Sequence, residues 1–165
     1  MPRRKLSRRS IFTLILILLT SLVSMPSSVA QDGDVVVIVN PRNSATNVSS
    51  ADLRKMFAGE KRSWPGGVRV KLIVGAPGSH ERLVLLRLLG MSESEYKHYW
   101  TAQIFRGEAD SEPLTVPSFG MLKEAATVFP GAIGLVDAKD LKPGMMVKLI
   151  RVDGRLPGDD GYSLH

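Results

Sequence analysis

The stretch Val68 to Leu89, VRVKLIVGAPGSHERLVLLRLL, constrains the fold more than any other, because two incompatible periodicities meet inside it. Leu72, Ile73 and Val74 form an apolar run of strand length, whereas Leu83, Leu86 and Leu89, with Val84 and Leu85 beside them, recur at helical spacing. The break falls at Ala76-Pro77-Gly78-Ser79, so the segment reads as a buried strand, a tight turn and an amphipathic helix. Ser79 is a good N-cap. The free N–H groups behind it and the positive end of the helix dipole form a ready seat for an anion. Two roles are open to Ser79: a cap that meets only water, or a cap that also holds a ligand.

Similar punctuation runs along the rest of the chain. Val35 to Val39 is a β-branched run of the kind buried on both faces of a sheet, ended by Asn40-Pro41. Arg42 to Asn47 reads as a polar loop, and Ser49 or Ser50 caps a helix reaching about Ala58, with Leu53, Met56 and Phe57 on its buried side. The strand that follows is expected over Val68 to Val74. Ser92 and Glu95 have capping-box spacing at the head of another helix, whose Tyr96, Tyr99, Trp100 and Ile104 form a packing stripe. Phe105 to Glu112 is a charged loop, Leu114 to Val116 a short strand, and Ser118 the cap of a helix to about Phe129. Ala132 to Val136 is an apolar strand whose internal glycine points to close approach of a neighbour. Val147 to Val152 is the last strand, followed by a polar tail to His165.

Alternating strands and helices predict an α/β fold, a three-layer sandwich with a mainly parallel sheet. Ligands in such sheets sit at the carboxyl ends of strands, where the turn Ala76 to His80 lies. Were the strands ending at Val39 and Val116 neighbours of this one, Asn40 and Ser118 would approach the same edge.

The first thirty residues belong to a different kind of segment. Arg3, Arg4, Lys5, Arg8 and Arg9 precede an apolar stretch from Ile11 to Val23, and Ser28-Val29-Ala30 offers the small residues of a cleavage site. Residues 1–30 therefore read as a signal peptide and 31–165 as the mature domain, periplasmic or secreted, without stable membrane insertion. The apolar core is shorter than the roughly twenty residues that span a bilayer. Five of the 22 Lys and Arg lie in this leader, leaving 17 against 16 Asp and Glu, so the basic balance is a property of targeting. It gives no support to a nucleic-acid partner. With no cysteine, and with His80, His98 and His165 lacking ligand spacing, no metal site and no cofactor is implied.

Taken together, Val39-Asn40-Pro41, Met56-Phe57-Ala58-Gly59 with Trp64 and Gly67, Pro77-Gly78-Ser79, and Pro130-Gly131-Ala132-Ile133-Gly134 occur in the order found in a known family. The chain resembles the phosphate-type periplasmic solute-binding proteins of ABC transporters, which have the type 2 periplasmic binding fold. The resemblance implies one lobe of a two-lobed clamshell, the second lobe with its crossing strands. It also implies a small phosphate-like oxyanion as ligand, and an ABC transporter permease or a second copy as partner. In that family the loop matching Val74 to Arg82 typically carries an arginine and an acidic residue before Gly-Ser, then a glycine and a threonine. Here Gly75 and Pro77 stand before, and His80 and Glu81 after. The charge-assisted clamp is depleted, and Arg82 replaces it only by folding back over the helix start. Glu81 would repel a phosphate.

The candidate ligand-binding residues are thus Gly78, Ser79, His80, Glu81 and Arg82, with Asn40 and Ser118. Three classes of function remain open: an oxyanion-binding module, an interaction module that kept the fold and lost the ligand, and a hydrolase using His80 or His98 as base. The hydrolase has the least support, since no Gly-x-Ser-x-Gly elbow occurs and no acidic residue is evidently placed to orient either histidine.

Overall fold

The computed structural model describes residues 33–165. The expected signal peptide and its cleavage site lie outside the described residues. Six strands form one sheet: β1 (Val35–Val39), β2 (Asn47–Val48), β3 (Lys71–Gly75), β4 (Leu114–Val116), β5 (Ala132–Asp137) and β6 (Lys148–Val152). Their order is β2-β6-β1-β5-β3-β4. β3 runs parallel to β4 and β5, and β2 parallel to β6, while β1 is antiparallel to both of its neighbours, β5 and β6. The sheet is therefore mainly parallel, with one reversed strand inserted near its middle.

The helices are α1 (Ser50–Phe57), α2 (His80–Leu89), α3 (Glu93–Phe105) and α4 (Phe119–Val128). Each begins where the sequence places a cap. Ser49, Ser79, Ser92 and Ser118 accept backbone N–H groups of their first turns, and Ser92 with Glu95 completes a capping box. Gly90, in the left-handed region with φ 70°, stops α2.

Alternation along the strands sorts the core into two layers. Val35, Val37, Val39, Val74, Ile133 and Leu135 face α1, α2 and α3. Val36, Ile38, Ile73, Ala132 and Val136 face Leu122 and Ala126 of α4. The five residues of β1 are all buried, as a strand covered on both faces must be. Gly134 permits the close approach its position suggested: a Cβ there would lie 3.0 Å from Leu122 Cδ2 and 3.2 Å from the Ile73 carbonyl oxygen.

Several expectations need correction. The strand begins at Lys71, because Val68 and Val70 are drawn into a local ladder in which Val68 accepts from Trp64 N–H and Val70 N–H donates to Arg62. Leu83 is exposed, so the buried face of α2 is Val84, Leu85, Leu86 and Leu89 together with the side chain of Arg82. The loop before α1 contains β2, too short to register as a pattern. The tail is not merely polar: Tyr162 and Leu164 are buried, Val35 N–H donates to Leu164, and Tyr162 O–H donates to the Val35 carbonyl.

Candidate functional site

The reversed strand decides which loops share an edge. Gly75 of β3 lies beside Val116 of β4, and Ile73 beside Gly134 of β5, so Ala76, Pro117 and Asp137 leave the sheet on one side. α2 and α4 both start from this edge, on opposite faces of the sheet. Ser118 therefore follows β4 at the same sheet edge as the Ser79 turn, on the opposite face. Asn40 is not at this edge. β1 runs the other way, with Val39 opposite Ile133 and Val35 opposite Asp137, so Asn40 emerges at the far edge. There its side-chain amide donates to the carbonyls of Ala126 (2.9 Å), Thr127 (3.0 Å) and Phe129 (3.1 Å), closing the end of α4.

At the near edge the turn Ala76 to Ser79 is closed by Ser79 N–H donating to Ala76, 3.1 Å. Gly78 takes φ 85°, which a residue with a Cβ adopts only with strain. Ser79 Oγ accepts from Arg82 N–H at 3.3 Å. The amides of His80 and Glu81 belong to the opening turn, ahead of the first intrahelical hydrogen bond, and carry the positive end of the dipole. Ser118 Oγ likewise accepts from Met121 N–H at 3.4 Å.

Arg82 is not available to a ligand. Its Nε and Nη2 each donate to the Glu93 carboxylate at 3.0 Å, its guanidinium lies 3.8 Å over the Tyr96 ring, and the residue is 3% exposed. It points inward and ties α2 to α3, so the expectation that it might serve the turn fails. The fork geometry and the stacking both suit arginine in particular.

Asp137 was missed in the sequence. It is 4% exposed, at the end of β5, and its Oδ2 lies 3.1 Å from His80 Nδ1 and 2.8 Å from Lys139 Nζ, while Oδ1 accepts from Lys139 N–H. Burial pushes the Asp137 carboxyl up, but the Lys139 ammonium and backbone N–H, with His80, outweigh it and hold the group below its ordinary range. An acidic residue thus does orient His80, contrary to the sequence reading, and fixes its Nδ1. A strand's last residue at a carboxyl edge, followed two positions later by a lysine, was the signal available. The hydroxyls of Ser79 and Ser118 are both committed as helix caps. The arrangement offers backbone donors, the Lys139 ammonium and the His80 imidazole to a small anion.

Gly75 lies directly beneath the turn. A Cβ there would be 2.5 Å from Glu81 Oε1, 2.6 Å from Ser79 Oγ and 2.9 Å from Glu81 Cγ. The Glu81 carboxylate therefore folds back over Gly75, beside the capping hydroxyl. A cavity of about 370 Å³ lies at the other end of β3, lined by Met56, Arg62, Leu72, Trp100 and Glu112, away from this cluster.

No protein-family model matches the chain, and no curated protein matches it by sequence. Solved structures match it by fold. An ABC-type phosphate transport receptor from Vibrio cholerae superimposes with a TM-score of 0.58 at 18% identity, over 75% of this chain and 48% of that one. A Clostridium perfringens protein assigned as a phosphate ABC transporter substrate-binding protein, with bound phosphate, gives 0.59 at 14% identity, over 75% and 46%. PstS from Borrelia burgdorferi gives 0.56 at 17%, over 93% and 56%. At these identities the likeness is one of fold. The chain has the architecture of phosphate-type substrate-binding proteins and spans about half the length of the structures it matches. Among the described residues no helix is long and apolar enough to cross a membrane.

Proposed function

We propose that the mature domain binds a small oxyanion of the phosphate class at the start of α2, outside the cytoplasm and in the service of an ABC-type transporter. One observation carries this reading: the Ser79 turn, the Ser118 cap and the His80–Asp137–Lys139 cluster converge on a single sheet edge. The likeness in fold to a structure with bound phosphate supports it. Ser79 Oγ, the His80 and Glu81 amides, the His80 imidazole and the Lys139 ammonium would meet the anion. We read the role as binding rather than catalysis: among the described residues no hydroxyl is hydrogen-bonded to His80, whose Nδ1 meets Asp137.

A single open edge leaves one side of the anion in water, where hydration competes and the dielectric stays high. The isolated domain is therefore expected to bind weakly, and a permease or a second copy would close over it. Titration calorimetry of the mature protein with phosphate and sulfate is the test. Millimolar binding, weakened by Ser79→Ala by about 1 kcal/mol with a similar loss of stability, is the expected outcome. Sub-micromolar binding by a strict monomer would overturn the open-edge argument. Mass spectrometry of the exported protein should find Gln31 as its first residue, and intact Met1 or Pro2 in the membrane fraction would reverse the assignment of residues 1–30.

A second reading, an interaction module that kept the fold and lost the ligand, is favoured by the position of Glu81 and the burial of Arg82. Absence of binding at millimolar phosphate, with a captured protein partner, would select it.

A further inference from the structure

Three polar side-chain atoms are buried between α2 and α3 without a hydrogen-bond partner in the protein: Arg82 Nη1, Tyr96 Oη and Trp100 Nε1. The residues that carry them are 3%, 4% and 4% exposed, so bulk water does not serve them. They are neighbours. Tyr96 and Trp100 share one face of α3, with ring centroids 6.2 Å apart, and the Arg82 guanidinium lies 3.8 Å over the Tyr96 ring. Neither Arg82 nor Trp100 can turn away to find a partner. Glu93 holds Nε and Nη2 of Arg82 at 3.0 Å each, which leaves Nη1 as the unused corner. The indole of Trp100 is wedged between Tyr99, edge-on with centroids 5.8 Å apart, and Gly59, where a Cβ would lie 2.9 Å from Cη2.

The chemistry of the set is one-sided. Arginine and indole N–H groups only donate, so the Tyr96 oxygen is the single acceptor among them, and it brings a donor of its own. Burial pushes the Tyr96 phenol up to about 12, against the pull of Arg82 and Trp100, so it keeps that proton throughout the neutral range. Buried donors are almost always met by an acceptor, from the protein or from ordered water. We propose that Arg82, Tyr96 and Trp100 form an internal seat for one small neutral acceptor, a water molecule, that ties the guanidinium of α2 to the indole of α3. A buried water makes about three hydrogen bonds, which matches the three groups present. An anion fits less well. Glu93 already balances the guanidinium charge, and Glu112 is near enough to oppose ionisation of Tyr96, so a further negative charge would be buried without a counter-charge. The seat does not depend on the oxyanion reading.

The test is nuclear magnetic resonance of nitrogen-labelled protein expressed from the full coding sequence. The chain has two tryptophans, and Trp64 is an internal control because its Nε1 already donates to the Gly131 carbonyl at 3.0 Å. Trp100→Phe assigns the two indole signals. The Trp100 indole proton should show an Overhauser cross-peak to water with the sign of a long-lived bound molecule. The peak should survive in Tyr96→Phe, which keeps the stacked ring and removes relay through the exchangeable hydroxyl. That variant should also melt several degrees below wild type, because the water loses a partner; were the hydroxyl simply unmet, its removal would raise the melting temperature instead. No water peak at Trp100, its loss in Tyr96→Phe, or a higher melting temperature for Tyr96→Phe would each overturn the seat. Exchanging chloride for acetate at constant ionic strength should leave the Trp100 indole signal unmoved, and a chloride-dependent shift there would overturn the neutral guest.

Discussion

Two polar side chains, Asn40 and Arg82, carry structure where ligand contact was expected. Asn40 shares its amide hydrogens among three carbonyls at the end of α4 and accepts from Arg42 N–H at 2.9 Å through its own oxygen. Asn40→Ala leaves those carbonyls unmet in a buried setting and should cost about 2–3 kcal/mol, with anion affinity unchanged. Urea denaturation and calorimetry on the same variant check both halves. Removing Glu93 strands a guanidinium that is almost fully buried, and Glu93→Ala is expected to cost about 3 kcal/mol in a urea melt. The hydrogen bonds from Arg82 hold the Glu93 carboxyl below its ordinary range against the opposing effect of burial. Its folded value is thus depressed. The stability it contributes is present above the ordinary glutamate value, about 4.3, and is lost as pH falls through the lower folded value. Melting temperature followed through the acid range should therefore fall less steeply in Glu93→Gln than in wild type. Neither role could be read from local sequence. Arg82 meets its partner on the next helix, and Asn40 is placed by the direction of a strand whose neighbours come a hundred residues later.

Elements were more legible than their partners. The serine caps and most of the apolar runs that became strands follow from periodicity and turn chemistry within a dozen residues. β2 was invisible because two residues carry no period, and β3 started late because Val68 and Val70 found hydrogen bonds in the preceding loop. The glycines at the head of β5 show how tightly elements abut. A Cβ on Gly131 would lie 1.8 Å from the Arg69 carbonyl oxygen, backbone that cannot move without unseating the loop, and Trp64 Nε1 donates to the Gly131 carbonyl at 3.0 Å. Gly131→Ala should cost about 3 kcal/mol. Gly134→Ala, which presses on the movable end of Leu122, should cost about 1 kcal/mol. Denaturant midpoints of the two variants give the comparison. Ile133→Asp would place an unpaired charge where the residue is 0% exposed, and a cooperative, unshifted melt for it would contradict the sheet assignment.

For the whole molecule, α/β layering and a mainly parallel sheet were readable because strands and helices alternate along the chain. The reversed strand and the docked tail were not, because both are set by long-range pairing. That pairing also separates the site from its support. The near edge gathers residues 75–82, 116–118 and 137–139, while the frame behind it depends on β1, whose partners are β5 and β6. Val35 pairs with Asp137, Val37 with Ile150, and the Val35 N–H waits for Leu164. β1, the first of the described strands, is accordingly among the last to find its neighbours. Until residues 132–164 have been made, Val35 to Val39 is an unpaired, wholly apolar β-branched segment, the kind that joins other chains edge to edge. Pairings of such sequence separation also make folding slow. The fold thus parts an aggregation-prone strand from the residues that cover it, and a nascent chain of this design depends on being held until residues 132–164 have emerged.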